Sequence, residues 1–259
     1  MTLLLFKLIA TPLLLLAATL ASRRWGETIG GFLVGLPLTS GPVSVFLALE
    51  HGPTFAAQAT SGSLAATAAQ AGFCLVYCKL ARRGAAIALA IACVTFALAA
   101  ALLRWMGLSP LALFAVALAA MGLVLVAVPK DPSRLAASIP TSRWDLPGRM
   151  VLVTALVMAV TLLAPSLGPQ TSGVIASFPL MGAILAVFAH LAIGSAAAQQ
   201  VLRGMVAGLF GFGVFFYVLS LTLTRSSLPV AYGLAILGAL AVQSALWRRI
   251  RQPVSPLGE

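Results

Sequence analysis

Residues 31–52 of the chain read GFLVGLPLTSGPVSVFLALEHG, and residues 173–194 read GVIASFPLMGAILAVFAHLAIG. The two segments align without a gap at an offset of 142 residues, and the same register holds over residues 26–76. This register contains 14 identical pairs, roughly three times the number expected by chance in a chain so rich in Ala, Leu and Gly. The pairs include Pro37/Pro179, Gly52/Gly194 and Gln58/Gln200. The chain is therefore internally duplicated, and we expect two related halves.

The composition is typical of a membrane protein. Hydrophobic residues make up 61% of the 259 residues and charged residues 8%, far from the composition of soluble domains. Apolar runs of roughly 20 residues recur, long enough to cross ~30 Å of hydrocarbon. We predict an all-α, polytopic transmembrane helix bundle whose partner is the lipid bilayer. The net charge of +11 lies mostly in short loops, so it indicates orientation in the membrane and not nucleic-acid binding.

The hydrophobic pattern predicts about nine spans. They cover residues 3–21, 28–50, 53–80, 84–104, 108–128, 149–165, 170–193, 196–222 and 227–247. Residues 3–21 are interpreted as a retained first span and not as a signal peptide, because their repeat partner is internal. The third and eighth spans are long, which favours a tilt or a break.

Positive charges sort the predicted loops into two sides. One side collects most of the Lys and Arg, whereas the other holds only Arg104 and Arg225. The positive-inside rule then places the N-terminus outside and the C-terminus in the cytoplasm. Repeat partners are five spans apart, an odd number, so the two repeats are predicted to be inverted. The predicted organisation is a first repeat of five spans (1–128), a cytoplasmic loop (129–148), a second repeat of four spans (149–247) and a cytoplasmic tail (248–259).

The repeated proline gives the main candidate site. A Pro inside a span removes a backbone donor and frees a carbonyl, and in lipid that carbonyl needs another partner or a cavity. Pro- and Gly-interrupted spans at matching positions of two halves are typical of a midplane binding site, whereas a simple packing kink is the other interpretation. The residues expected to line such a site are Pro37, Thr39, Ser40, Gly41 and Pro179.

Two equivalent amides, Gln58 and Gln200, are candidates for contacts at the same site. Interhelical hydrogen bonding is the alternative role for this pair, and the favoured one. The small residues of segment 60–63, with Gly204 and Gly208, are those that let helices approach closely, so packing is their expected role.

Few ionisable residues fall near the spans. Glu50, His51 and His190 are candidates for proton coupling or headgroup contact, or ordinary interfacial residues. No motif of soluble enzymes is present, and we expect no enzymatic activity, no cofactor and no metal site. An intramembrane enzyme would need these three side chains to converge.

The segment from Gly173 to Leu219 resembles the small bacterial GlpM-type membrane proteins. It contains FPLMGAILAVFAHLAIGSAAAQQVLRGMVAGLFGF at residues 178–212. The matching residues are Phe178, Pro179, Ala189, His190, Gly194, Leu202 and Arg203. The first half carries a weaker version, with Leu36, Pro37 and Gly52 but without the Arg. The resemblance implies a bacterial inner-membrane protein linked to envelope polysaccharide production, here in a duplicated, fused form.

Duplication and paired Pro helices favour a transporter or flippase. It would move a small polar solute or a lipid-linked precursor by alternating access. The alternative is a non-transporting scaffold for envelope polysaccharide biosynthesis. The expected partners are a small-molecule or lipid substrate and, if the protein is a homodimer, a second copy of the chain.

Overall fold

The computed structural model describes Pro37, residues 40–128 and residues 145–251, and this part of the chain is built from helices. Nine α-helices lie within it, with one 3₁₀ turn at Ala81–Arg83. In chain order they are α1 (Ser40–His51), α2 (Pro53–Leu80), α3 (Ala85–Trp105), α4 (Pro110–Ala127), α5 (Asp145–Leu167), α6 (Pro169–Ala176), α7 (Leu180–Ala192), α8 (Ser195–Thr222) and α9 (Leu228–Arg251).

Six helical stretches of the described residues are long and apolar enough to cross a membrane. They are Pro53–Arg83, Ala85–Trp105, Pro110–Ala127, Pro169–Ala192, Ser195–Thr222 and Leu228–Leu246. These match six of the nine predicted spans and confirm a membrane-embedded helical bundle. The first predicted span and about half of the second lie outside the described residues. Within α5, the shorter stretch Met158–Leu167 is apolar.

The two longest helices of the described residues have bounds that differ by the offset of the sequence duplication. Adding 142 to both bounds of α2 gives both bounds of α8. Each helix follows a glycine with positive φ, 90° at Gly52 and 124° at Gly194, a conformation that glycine adopts without steric cost. The equivalent glycines therefore separate these helices from the ones before them. Both helices are continuous over 28 residues, about 42 Å at 1.5 Å per residue, so their length calls for tilt in a ~30 Å core and not for a break.

Helices α2 and α8 pack against each other in opposite directions at the centre of the bundle. Near the start of α8, Gln199 Nε2 donates to the carbonyl of Cys78 near the end of α2, at 3.1 Å. Nearer the helix centres, the Thr67 methyl lies 3.9 Å from the position that a Cβ on Gly213 would occupy. Residue numbers thus rise on one helix as they fall on the other, which is antiparallel packing.

The remaining helices surround this central pair. Helices α1, α3, α4 and α6 pack on α2, whereas α4, α7 and α9 pack on α8, and α5 packs on α6. In their most apolar stretches, 72% of the residues of α2 are buried, against 22% in α3 and in α4. The outer helices expose large apolar side chains such as Leu98 and Val126. This is the arrangement expected when hydrocarbon, not water, surrounds the bundle.

Candidate functional site at the helix break

The stretch Pro169–Ala192 is broken near its middle. Helix α6 ends at Ala176 and α7 begins at Leu180, with Pro179 in between at φ −75° and ψ 49°. Proline has no N–H and disfavours helical geometry in the residue before it. In a continuous helix the Leu180 N–H would bond Ala176, but here it donates to the Phe178 carbonyl at 2.7 Å. The carbonyl of Ala176 is thereby freed inside the bundle.

Side chains of the first repeat bond the carbonyls at this break. Ser40 Oγ, on α1, donates to the Ala176 carbonyl at 2.8 Å. Gln70 Nε2, on α2, donates to the Ser177 carbonyl at 2.8 Å. Ser40 is 3% and Gln70 4% exposed. Since an unpaired backbone carbonyl in an apolar interior costs several kcal/mol, these two bonds explain how the break is tolerated.

A third bond is made where the backbones of α2 and α6 touch. Ser63 Oγ donates to the Gly173 carbonyl at 3.3 Å. A Cβ placed on Gly62 would lie closer than 3.0 Å to the Gln170 carbonyl, and one on Gly173 would lie closer than 3.0 Å to the Ala59 carbonyl. Only glycine fits at Gly62 and Gly173, so the packing role predicted for segment 60–63 has a structural basis.

A small cavity with a partly polar lining lies beside these bonds, between α1, α2 and α6. Its volume is about 10 Å³, close to the space needed by a single water molecule. We call it the hydroxyl cavity, after the side chains of Ser40, Ser44, Thr60 and Ser63 that line it. Its other lining residues are Val43, Leu47, Ala59, Gly173, Ala176 and Phe216.

The second repeat has no such set of hydroxyls at the equivalent positions. At the offset of 142, Ser40, Ser44, Thr60 and Ser63 correspond to Gly182, Ala186, Leu202 and Met205. The Met205 sulfur occupies the space beside Gly182, where a Cβ would collide with it. The two sets of equivalent positions therefore differ in polarity: the first repeat has side-chain hydroxyls, whereas the second has Gly and apolar side chains.

The two prolines of the predicted site, Pro37 and Pro179, lie at equivalent positions of their repeats. The Pro37 carbonyl accepts a hydrogen bond from Gly41 N, and the Pro179 carbonyl accepts one from Ala183 N, both at 2.8 Å. Gly41 is buried, with Phe215 3.8 Å from the position of a Cβ. Pro37, Ser40, Gly41 and Pro179 thus belong to the turns that start α1 and α7, whereas the predicted site residue Thr39 lies outside the described residues.

The structure does not bring Gln58 and Gln200 together. Gln58 is exposed near the start of α2, and Gln200 is half-buried near the start of α8. Because Gln199, beside Gln200, bonds Cys78 at the far end of α2, the two amides are separated by about 30 Å along the helix. Neither lines the hydroxyl cavity.

The candidates for proton coupling lie at opposite ends of α2. The ring of His51, next to the exposed Glu50, lies 4.9 Å from the ring of Phe55. His190 Nδ1 lies 3.2 Å from the Tyr77 hydroxyl. Phe55 and Tyr77 are 22 residues apart on one helix, which is about 33 Å. This separation counts against an intramembrane enzyme that would use these side chains together.

Gln70 and Ser63 make interhelical hydrogen bonds that the sequence pattern does not predict. It predicts no role for Gln70 and only packing at Ser63. Gln70 is an amide in the middle of an Ala-rich apolar span, which is a signal of a buried polar contact. It was overlooked because its repeat equivalent is Phe212, so the duplication does not mark it.

Arg203 of α8 closes the end of α4. Its guanidinium donates to the carbonyls of Leu125, in the last turn of that helix, and Val128, just after it. Carbonyls at the end of a helix have no helical partner. We expect Arg203→Met to lower the stability of the purified protein by about 1 kcal/mol, measured by thermal unfolding in detergent. Arg225→Met, which replaces an exposed Arg after the end of α8, is the matched control. An equal loss in both variants would contradict the capping role.

Comparison with known proteins identified no relative of the chain. Neither family models, nor curated proteins, nor solved structures give a match to the chain. In the described residues, no group of three or more His, Cys, Asp or Glu side chains could hold a metal ion.

Proposed function

We propose that the chain is a membrane transporter or flippase that moves a small polar solute or a lipid-linked envelope precursor by alternating access. The helix break between α6 and α7 carries this proposal. It lies near the middle of an apolar stretch, and buried polar side chains of the other repeat hold it. Interrupted helices with polar contacts at mid-membrane depth are the usual construction of substrate sites in transporters.

The proposal includes two inverted repeats. The antiparallel packing of α2 and α8 supports it, because these helices are repeat equivalents with matching bounds. The asymmetry of Lys and Arg between the predicted loops supports it independently. In the same scheme the chain has nine spans, an outside N-terminus and a cytoplasmic C-terminus, in a bacterial inner membrane. Kinship with the GlpM-type proteins is part of this proposal.

A scaffold for envelope biosynthesis is the second candidate. One observation favours it: the hydroxyl cavity has room for only about one water molecule, and the carbonyls of the break are already bonded. A rigid bundle without a transport cycle would have these properties. It would be expected to co-purify with biosynthetic partners, or with a second copy of itself.

Cysteine accessibility separates the two candidates without knowledge of the substrate. Ser177 is 2% exposed and its Oγ has no hydrogen-bond partner, so Ser177→Cys is a mild change. It is made in a chain whose Cys74, Cys78 and Cys93 are replaced by Ala. A membrane-impermeant thiol reagent is applied to vesicles of each orientation. Alternating access predicts labelling from both sides, and a scaffold predicts labelling from neither.

The matched controls use other positions of the same chain. Ala92→Cys, fully buried on α3, should stay unlabelled from both sides. Pro179→Ala, which lets the helix continue through the break, should reduce the labelling of Ser177→Cys from at least one side. Labelling of Ser177→Cys from one side only, in a protein that expresses and elutes normally, would contradict alternating access at this break.

A further inference from the structure

The oxygen atoms around the hydroxyl cavity present lone pairs and few protons. A hydroxyl has one proton and two lone pairs. Three of the four hydroxyls give their proton to a backbone carbonyl: Ser40 to Ala176 at 2.8 Å, Thr60 to Ala57 at 2.6 Å and Ser63 to Gly173 at 3.3 Å. The fourth, Ser44, shares a hydrogen bond of 2.8 Å with Tyr232. The polar part of the lining therefore consists mainly of acceptors, and it lies beside the apolar side chains of Val43, Leu47, Ala59 and Phe216.

The ends of two helices reach the hydroxyl cavity. The last turn of α6, Gly173–Ala176, and the first turn of α1, with Ser40 and Val43, both contribute to its lining. The partial negative charge of a helix C-terminus and the partial positive charge of a helix N-terminus oppose each other here. No Lys or Arg lies among the lining residues, and neither does any Asp or Glu. The oxygen lone pairs of the lining thus favour a cation, and the lack of carboxylates favours a monovalent one over Ca²⁺ or Mg²⁺.

We propose that the hydroxyl cavity binds one small monovalent cation, with Na⁺ as the best fit. The hydroxyl oxygens of Ser40, Thr60 and Ser63 would contact the ion together with the carbonyls of Gly173 and Ala176. Na⁺ is smaller than a water molecule, and the cavity is of about that size. The inference rests on the proposed transport function, in which an ion bridging α1 and α2 to the broken helix would couple its own movement to that of the substrate.

The site belongs to the first repeat alone. In the second repeat the equivalent space is filled by the Met205 side chain, next to Gly182. A duplicated protein could carry one such site in each half, but in this chain the four hydroxyl oxygens are present only at the positions of the first repeat. We therefore expect one cation per chain.

Sodium binding is tested directly on the purified full-length chain in lipid nanodiscs. Radiolabelled sodium is titrated to saturation, and thermal unfolding is followed in NaCl, KCl and choline chloride at constant ionic strength. We expect saturable binding of one Na⁺ per chain and a melting temperature that rises with Na⁺, since a ligand stabilises the state that binds it. KCl should stabilise less, and choline chloride should not stabilise.

Substitution in the cavity supplies the decisive comparison. Ser63→Met puts into the first repeat the side chain that fills the second, and it should weaken Na⁺ binding by about tenfold or more. Ser40→Ala and Thr60→Val are milder variants with the same expected direction. Ser166→Ala removes an exposed hydroxyl that donates to Leu163, and it should leave binding unchanged. Equal stabilisation by all three salts, or unchanged binding in the folded cavity variants, would mean that the cavity holds only water.

The two proposals fail separately. If Na⁺ does not bind but Ser177→Cys is labelled from both sides, the cation site is wrong and alternating access stands. If Na⁺ binds and Ser177→Cys is not labelled from either side, the ion is structural and the transport proposal is wrong.

Discussion

Replacing Gly62 or Gly173 by Ala is expected to abolish folding of the bundle. In each case the added Cβ would stand closer than 3.0 Å to a backbone carbonyl of the facing helix. Backbone cannot move aside as a side chain can, so α2 and α6 would have to separate. The cost should exceed about 3 kcal/mol, above the usual range for overpacking. Loss of the monodisperse peak in fluorescence-detected size-exclusion chromatography measures it.

Two other helical glycines serve as controls for this prediction. A Cβ on Gly122 of α4, or on Gly233 of α9, would meet nothing within 4 Å. Ala is the better helix former, so Gly122→Ala and Gly233→Ala should fold at least as well as the parent chain. If Gly62→Ala behaves like these two, the close approach of α2 and α6 does not exist in the membrane.

Removing the amide of Gln70 is expected to have the second largest effect. Gln70→Leu keeps most of the side-chain volume but leaves the Ser177 carbonyl without its 2.8 Å donor. An orphaned buried acceptor costs about 1–3 kcal/mol, so thermal unfolding should begin at a clearly lower temperature. The break between α6 and α7 should loosen first, which increased labelling of Ser177→Cys would report.

The control for Gln70 lies on the same helix. Gln58→Leu replaces an exposed amide near the start of α2, and it should change stability by less than about 0.5 kcal/mol. A loss in Gln58→Leu as large as in Gln70→Leu would show that amides matter on this helix through solubility and not through the helix break.

Much of the helical framework could be predicted from the sequence. The predicted span 53–80 has the bounds of α2, and the prediction 196–222 differs from α8 by one residue. These bounds are marked locally, by Gly52 and Gly194 at the start of each helix. The interruption at Pro179 is marked locally as well. Such features depend on neighbouring residues, which a sequence displays directly.

The contacts between helices could not be predicted in the same way. Gln58 and Gln200 were selected because they are repeat equivalents, but equivalent residues of antiparallel helices meet only near the helix centres. The partners of Ser40, Ser63 and Gln70 are backbone carbonyls, whose identity leaves no trace in the sequence. Their register depends on how α2 and α6 approach each other, which the whole bundle determines.

The hydrogen bonds across the break also bear on the order of membrane insertion. Ser40 and Gln70 are synthesised 136 and 107 residues before the carbonyls that they bond, and chains fold from the N-terminus during synthesis. Ser40 and Gln70 are therefore already in the bilayer when α6 and α7 leave the translocon. A circular permutant that starts with the second half would bring the break into lipid before any donor is present. The natural order of the two halves therefore prevents the backbone carbonyls of the break from being exposed to lipid during synthesis.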